Sequence, residues 1–110
     1  MIGLLRGKIL SRKNNEVILD VNGVGYHLFV SKKALENSAS NEGENIFYTY
    51  LDVKENSLQL FGFADEKEKE IFKLLISVNG IGPKLAHTIL ANAGFEDIVN
   101  LIAGNNRFAF

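Results

Sequence analysis

A chain of 110 residues has room for one ordinary domain or two very small ones, and 46% apolar residues suffice for a core, although either half alone is marginally stable. The absence of cysteine excludes disulfides and thiolate metal sites; 12 Lys and Arg against 13 Asp and Glu give a net charge of −1, which excludes nucleic-acid binding by a general coat of positive charge and leaves only local contacts. No apolar run reaches the ~18 residues of a membrane span, and the amino terminus opens in a strand-like pattern, so a soluble, unexported protein without a membrane partner is expected.

The first half reads as five strands. Ile2 to Arg12 mixes apolar residues with Gly3 and Gly7, as in a long strand that bends. Asn14-Asn15 turns the chain into Glu16 to Val21, and Asn22-Gly23, a strong hairpin signal, leads into Gly25 to Val30. Ser31 caps a short helix to Asn37, a polar loop runs through Glu44, and Asn45 to Val53 and Leu58 to Phe63 complete the set. Five strands with a helical turn between the third and fourth is the order of an OB-fold barrel, a small barrel often used on nucleic acids.

The barrel aromatics Tyr26, Phe29, Phe47, Tyr48, Tyr50, Phe61 and Phe63 suit either base stacking or packing of the barrel and a neighbouring unit; their alternation along strands favours packing. His27 has no second ligand at metal spacing and reads as a surface strand residue. The polar turn Lys54-Glu55-Asn56-Ser57 is an ordinary solvated turn unless it projects into bound DNA, where Glu55 would repel phosphates.

From Asp65 onward the period becomes helical. Asp65 and Glu68 form a capping-box pattern, and the run Glu66 to Glu70 reads as a solvated face. Ile71, Leu74, Leu75 and Val78 share one helical face; Leu85, Ala86, Ile89, Leu90 and Ala93 repeat it on a second helix. Between them, Asn79-Gly80-Ile81-Gly82-Pro83-Lys84 reads as a tight hairpin. Gly80 stops the first helix in a left-handed conformation, Ile81 packs inward, Gly82 is a side-chain-free cap and Pro83 occupies the first helical position. The helix start carries unpaired N–H groups, the flanking glycines let an anion approach, and Lys84 adds a full charge, which makes this a phosphate site without base readout. The plain alternative is a compact connection between two core helices. His87 and Thr88 face solvent or the DNA backbone. Gly94 ends the second helix, a third follows with Glu96 and Asp97 in its first turn, Gly104 ends that, and Asn105 to Phe110 opens another. The expected class is therefore α+β: a barrel over residues 1–63 followed by an incomplete helix-hairpin-helix domain over 64–110.

Met1-Ile2-Gly3-x-Leu5-Arg6-Gly7, Val21-Asn22-Gly23-Val24-Gly25-Tyr26, Val53-Lys54-Glu55-Asn56 before Leu60-Phe61-Gly62-Phe63, and Asn79 to Ala86 occur in an order and spacing that resembles the RuvA family, the DNA-binding subunits of bacterial Holliday-junction branch-migration complexes. The resemblance implies a cytoplasmic homotetramer, or two facing tetramers, that binds open four-way junction DNA in recombination and repair. It implies phosphate binding at Asn79, Gly80, Ile81, Gly82 and Lys84, and an acidic pin at the crossover formed by Glu55 and Asn56. The family usually carries Asp at the second pin position. It further implies recruitment of the RuvB ATPase and a shared junction with the RuvC resolvase. Family members continue into a second hairpin and a RuvB-binding domain, so the chain is expected to be a fragment ending short of both. No cofactor, metal or catalytic residue is expected: there is no Gly-x-x-x-x-Gly-Lys-Ser/Thr run for ATP, and Asp97 lies too near the hairpin for a glycosylase. The competing reading is a structural or protein-interaction module whose single hairpin no longer contacts DNA.

Overall fold

A computed structural model describes residues 2–38 and 43–92; Ala93, the third helix with Glu96 and Asp97, and the segment to Phe110 lie outside the described residues. The strands are β1 (Leu4–Lys13), β2 (Glu16–Val21), β3 (Val24–Val30), β4 (Asn45–Lys54) and β5 (Ser57–Phe63), and the helices α1 (Lys32–Asn37), α2 (Glu66–Ile76) and α3 (Pro83–Asn92). The strands close into a barrel in the order β1-β2-β3-β5-β4, with β4 returning to β1, and β3–β5 is the parallel pair. This is the OB-fold expected from the sequence, followed by helices.

The turn residues set the register. Asn22 and Gly23 both take positive φ, 52° and 92°, as a two-residue hairpin of this hand requires, and the Gly23 N–H donates to Asp20 Oδ1 at 2.8 Å. The bend foreseen in β1 comes from a bulge at Leu10, between the pairs Ile9↔Leu19 and Ser11↔Ile18. Gly7 faces inward where a Cβ would lie 2.1 Å from the Asp20 carbonyl oxygen, so only glycine lets β1 and β2 come this close.

Strand alternation produces two cores on opposite sides of one wall. Leu5, Ile9, Val17, Leu19, Leu28, Val30 and Phe47 fill the barrel, and Ala34 of α1 packs against them. On the outer face, Phe61 and Phe63 of β5 pack with Ile71, Phe72 and Leu75 of α2 and Ala86 and Leu90 of α3. Phe29, Tyr48 and Tyr50 border this second core. The aromatics therefore serve packing, as their alternation suggested, and several join the barrel to the helices.

Three expectations need correction. Glu68 is buried rather than solvated, and Leu74 and Leu85, expected on the core faces, are about half exposed at 51% and 48%. The buried stripe of α2 is Glu68, Ile71, Phe72 and Leu75: Ile71 and Leu75 are as expected, while Glu68 and Phe72 take the places expected of Leu74 and Val78, because α2 packs on β5 as well as on α3.

Candidate nucleic-acid interface

The helical hairpin is built by successive backbone bonds. Asp65 caps α2, its side chain accepting from the Glu68 N–H at 2.9 Å. The end of α2 closes with Ser77 N–H donating to Lys73 and Leu74 carbonyls, Val78 N–H to Leu75 and Ile81 N–H to Val78 at 3.1 Å. Gly80 makes the reversal at φ +88°. Ile81 packs against the second core, as expected, so the turn is held from inside while Asn79, Gly80, Gly82 and Lys84 remain exposed. α3 then starts at Pro83, and Ala86 N–H returns to the Gly82 carbonyl at 3.0 Å. The first-turn N–H groups of Lys84 and Leu85 have no carbonyl within the helix to receive them.

The two glycines have different reasons. Gly80 is required by its backbone. Gly82 is outside the left-handed region, and a Cβ there would meet nothing within 4 Å. Nothing among the described residues demands glycine at 82, where Ser or Asn would cap the helix better.

The second expected element is the tip of the β4–β5 hairpin. Lys54 pairs with Ser57, so Glu55 and Asn56 form the two-residue turn, both exposed. Behind them Lys54 Nζ lies 3.7 Å from Asp52 Oδ2, an oxygen that is buried without a hydrogen bond. Val53 and Leu58, opposite each other, are 62% and 69% exposed.

Between hairpin and barrel lies a groove of about 190 Å³ lined by Glu16, Phe29, Gln59, Phe61, Lys84, His87 and Thr88. One of its residues differs from the sequence reading. His87 faces the barrel rather than solvent: its Nε2 lies 3.0 Å from the Val30 carbonyl, and its ring lies edge-on to Phe29 at 5.6 Å. Burial holds its pKa below the ordinary histidine range despite nearby Val30 and Asn15 carbonyls, so the neutral ring donates through Nε2–H. His27 is exposed as expected, but Glu16, eleven residues away in sequence, lies on the adjacent strand with Oε1 2.7 Å from Nε2. Strand register creates that pair, so no local spacing announces it. Thr88 is exposed and donates to the Lys84 carbonyl.

The helix base is fixed by Glu68. Its Oε1 accepts from Ser31 Oγ at 2.5 Å and from the Ala64 N–H at 2.8 Å. Burial pushes its carboxyl above the usual range, against the effect of those two bonds. Nearby, the hydrogen bond from Lys33 holds Asp65 below the usual range, in an ion pair open to solvent at 40% and 43%. Among the described residues no group of three or more His, Asp or Glu is arranged to hold a metal, and no helix is long and apolar enough to cross a membrane.

Comparison with known proteins adds to this geometry. The model of the RuvA N terminal domain matches residues 1–62, and that of the SAM-like helix-hairpin-helix tandem matches residues 72–106. Similar curated proteins include the Holliday junction branch migration complex subunit RuvA of Cellvibrio japonicus, 41% identical over 106 residues, covering 96% of this chain and 52% of that protein. The same-named proteins of Flavobacterium psychrophilum and Bdellovibrio bacteriovorus are 42% and 41% identical over 96% of this chain, and 54% and 55% of their own lengths. The chain thus spans about half the length of the curated relatives it matches. With a family model over more than half its residues, on a closed five-stranded barrel followed by a helical hairpin, the chain belongs to the RuvA family.

Proposed function

We propose that this chain binds four-way DNA junctions by structure rather than sequence, as the non-motor, non-catalytic subunit of a branch-migration complex in the bacterial cytoplasm. The barrel (1–63) carries the acidic pin, Glu55 with Asn56, and the helical unit (64–110) carries the phosphate hairpin, Asn79, Gly80, Ile81, Gly82 and Lys84. Assembly as a homotetramer arranges four pins around the crossover, and two facing tetramers place four on each face. The RuvB ATPase and the RuvC resolvase are the partners of the whole protein in this reading. The name shared by the relatives, a Holliday junction branch migration complex subunit, supports it.

The observation that carries the proposal is Gly82. Its backbone does not need glycine and a methyl group would be free of the protein, so the missing side chain leaves room for something outside the chain. Beside it stand the N–H groups of the α3 start and the exposed Lys84, the donors and the cation that hold a phosphate.

Titration against a synthetic four-way junction and a matched duplex at two salt concentrations, with sedimentation of the same samples, tests this. Gly82→Ala should leave unfolding unchanged while weakening junction binding. Lys84→Glu should weaken all DNA about equally and lower the slope of log affinity against log salt by about 1. Unaltered affinity in both variants would refute the hairpin assignment. The net charge of −1 favours the second reading, a protein-interaction module. A folded chain binding neither DNA at low salt would decide for it.

A further inference from the structure

We infer that the groove between β5 and α3 receives a single unpaired nucleobase of the bound junction; this rests on the junction-binding reading and adds a contact that reading does not contain. At about 190 Å³ the groove is smaller than the ~300 Å³ at which sites for whole small ligands begin, so it suits one planar group tethered to something held elsewhere. Its apolar wall is aromatic: Phe29, partly exposed, backed by buried Phe61 at 5.6 Å and by the His87 edge. A planar base stacks on such a surface whatever its identity.

The polar residues that line the groove are of opposite charge and of different hydrogen-bonding character. Lys84, the hairpin cation, is exposed at its lining; Thr88 bonds its backbone carbonyl and not its ammonium, which leaves the charge for a phosphate. Gln59 offers an amide, and Glu16, whose Oε1 is held by His27 Nε2 at 2.7 Å, offers its second carboxylate oxygen to the edge of the base. Glu16 repels phosphate and accepts from an exocyclic amino group, so the nucleotide is oriented with its phosphate towards Lys84 and its base inward. Cytosine, adenine and guanine, which carry such a group, are favoured over thymine.

The same strand connects the groove to the pin. Gln59 lies three residues beyond Asn56 on β5, about 10 Å at ~3.3 Å per strand residue. A base displaced where Glu55 keeps strands apart therefore has a stacking surface within reach, while its phosphate remains beside the hairpin.

A two-by-two comparison tests this with the 110-residue chain. The DNAs are a four-way junction and the same junction with abasic sites at the crossover nucleotides; the proteins are the unaltered chain and Thr88→Trp. Thr88 is exposed and its hydroxyl bonds only the Lys84 carbonyl in the turn before it, so the substitution fills the groove without opening a core. The unaltered chain should lose about tenfold in affinity on the abasic junction, the effect of one lost stack. Thr88→Trp should bind the intact junction about tenfold more weakly and show little further loss on the abasic one. Glu16→Ala should reduce the preference for cytosine over thymine at the crossover. Equal abasic losses in both proteins, or none in the unaltered chain, would overturn the inference and leave junction binding intact. Failure of the unaltered chain to bind the intact junction would instead overturn the underlying reading, and this inference with it.

Discussion

Replacing Phe72 by Ala tests whether barrel and hairpin share a core. Phe72 is fully buried on α2, with ring centroids 4.9 Å from Phe63, 5.2 Å from Phe61 and 5.2 Å from Tyr50. Truncating a core phenylalanine typically costs about 3–5 kcal/mol, and each aromatic contact adds roughly 0.5–1.5 kcal/mol beyond area, which places this site in the upper half, near 4 kcal/mol. At roughly 0.05–0.15 kcal/mol per residue, a chain of this length has about 5–16 kcal/mol in total. The variant therefore loses a quarter or more of its stability. Urea unfolding followed by circular dichroism and by tyrosine fluorescence reads this, since the chain has three Tyr and no Trp and Tyr50 touches the substituted ring. The two probes should coincide in one transition shifted to lower urea with unchanged slope, and Phe72→Leu should lose far less. A loss below about 1 kcal/mol, or a helical transition separating from an unshifted barrel one, would refute the shared core.

Gly7→Ala should cost about 3 kcal/mol or more, because its Cβ would lie 2.1 Å from backbone oxygen that cannot move without opening β1–β2; Gly62→Ala, whose nearest contacts are side-chain atoms at 3.1–3.4 Å, should cost less in the same unfolding assay. Glu68→Ala should cost about 2 kcal/mol by stranding the Ser31 hydroxyl and the Ala64 N–H, read by thermal unfolding. In Glu68→Gln one pH dependence should vanish. With the folded pKa raised above 4.5, the native state holds the proton more tightly, so the contribution of Glu68 is greatest below pH 4.5 and is lost as pH rises through the folded value. His87 runs the other way: with its pKa lowered from 6.5, its contribution is complete above 6.5 and declines as pH falls towards the folded value, a decline His87→Phe should remove. Asn56→Asp, by adding a second charge at the exposed turn, should weaken duplex binding a few-fold at low salt and less at high salt, checked by parallel titrations; a salt-independent effect would count against a charge mechanism.

What the sequence made legible is the part governed by local backbone chemistry. Asn22-Gly23 announces its hairpin because few other residue pairs accept positive φ twice, Asp65 announces a helix start because its carboxylate reaches the N–H three residues on, and Gly80 announces the hairpin reversal. The strand order followed from counting such punctuation. The groove, the Glu16–His27 pair and the shared aromatic wall were not legible, since each joins residues from different strands or from strand and helix.

The misread residues have a common cause. In α2 the buried stripe is Glu68, Ile71, Phe72, Leu75; in α3 Ala86, His87 and Leu90 turn inward in the same spacing. Each stripe contains one ionisable residue, and a reader counting apolar positions slides to the next apolar neighbour, Leu74 or Leu85, which the fold leaves half exposed. Both ionisable residues, Glu68 buried and His87 half-buried, turn inward for the same purpose. Glu68 accepts from the Ser31 hydroxyl and His87 donates to the Val30 carbonyl, so consecutive residues at the end of β3 latch the two helices to the barrel. That dipeptide is itself fixed, Val30 N–H donating to Asn15 and Ser31 N–H to Gly62. Apolar packing against Phe61 and Phe63 tolerates sliding, whereas a directional bond at each helix does not. The orientation of the α2–α3 hairpin relative to the barrel is therefore set by two polar bonds that the hydrophobic pattern conceals.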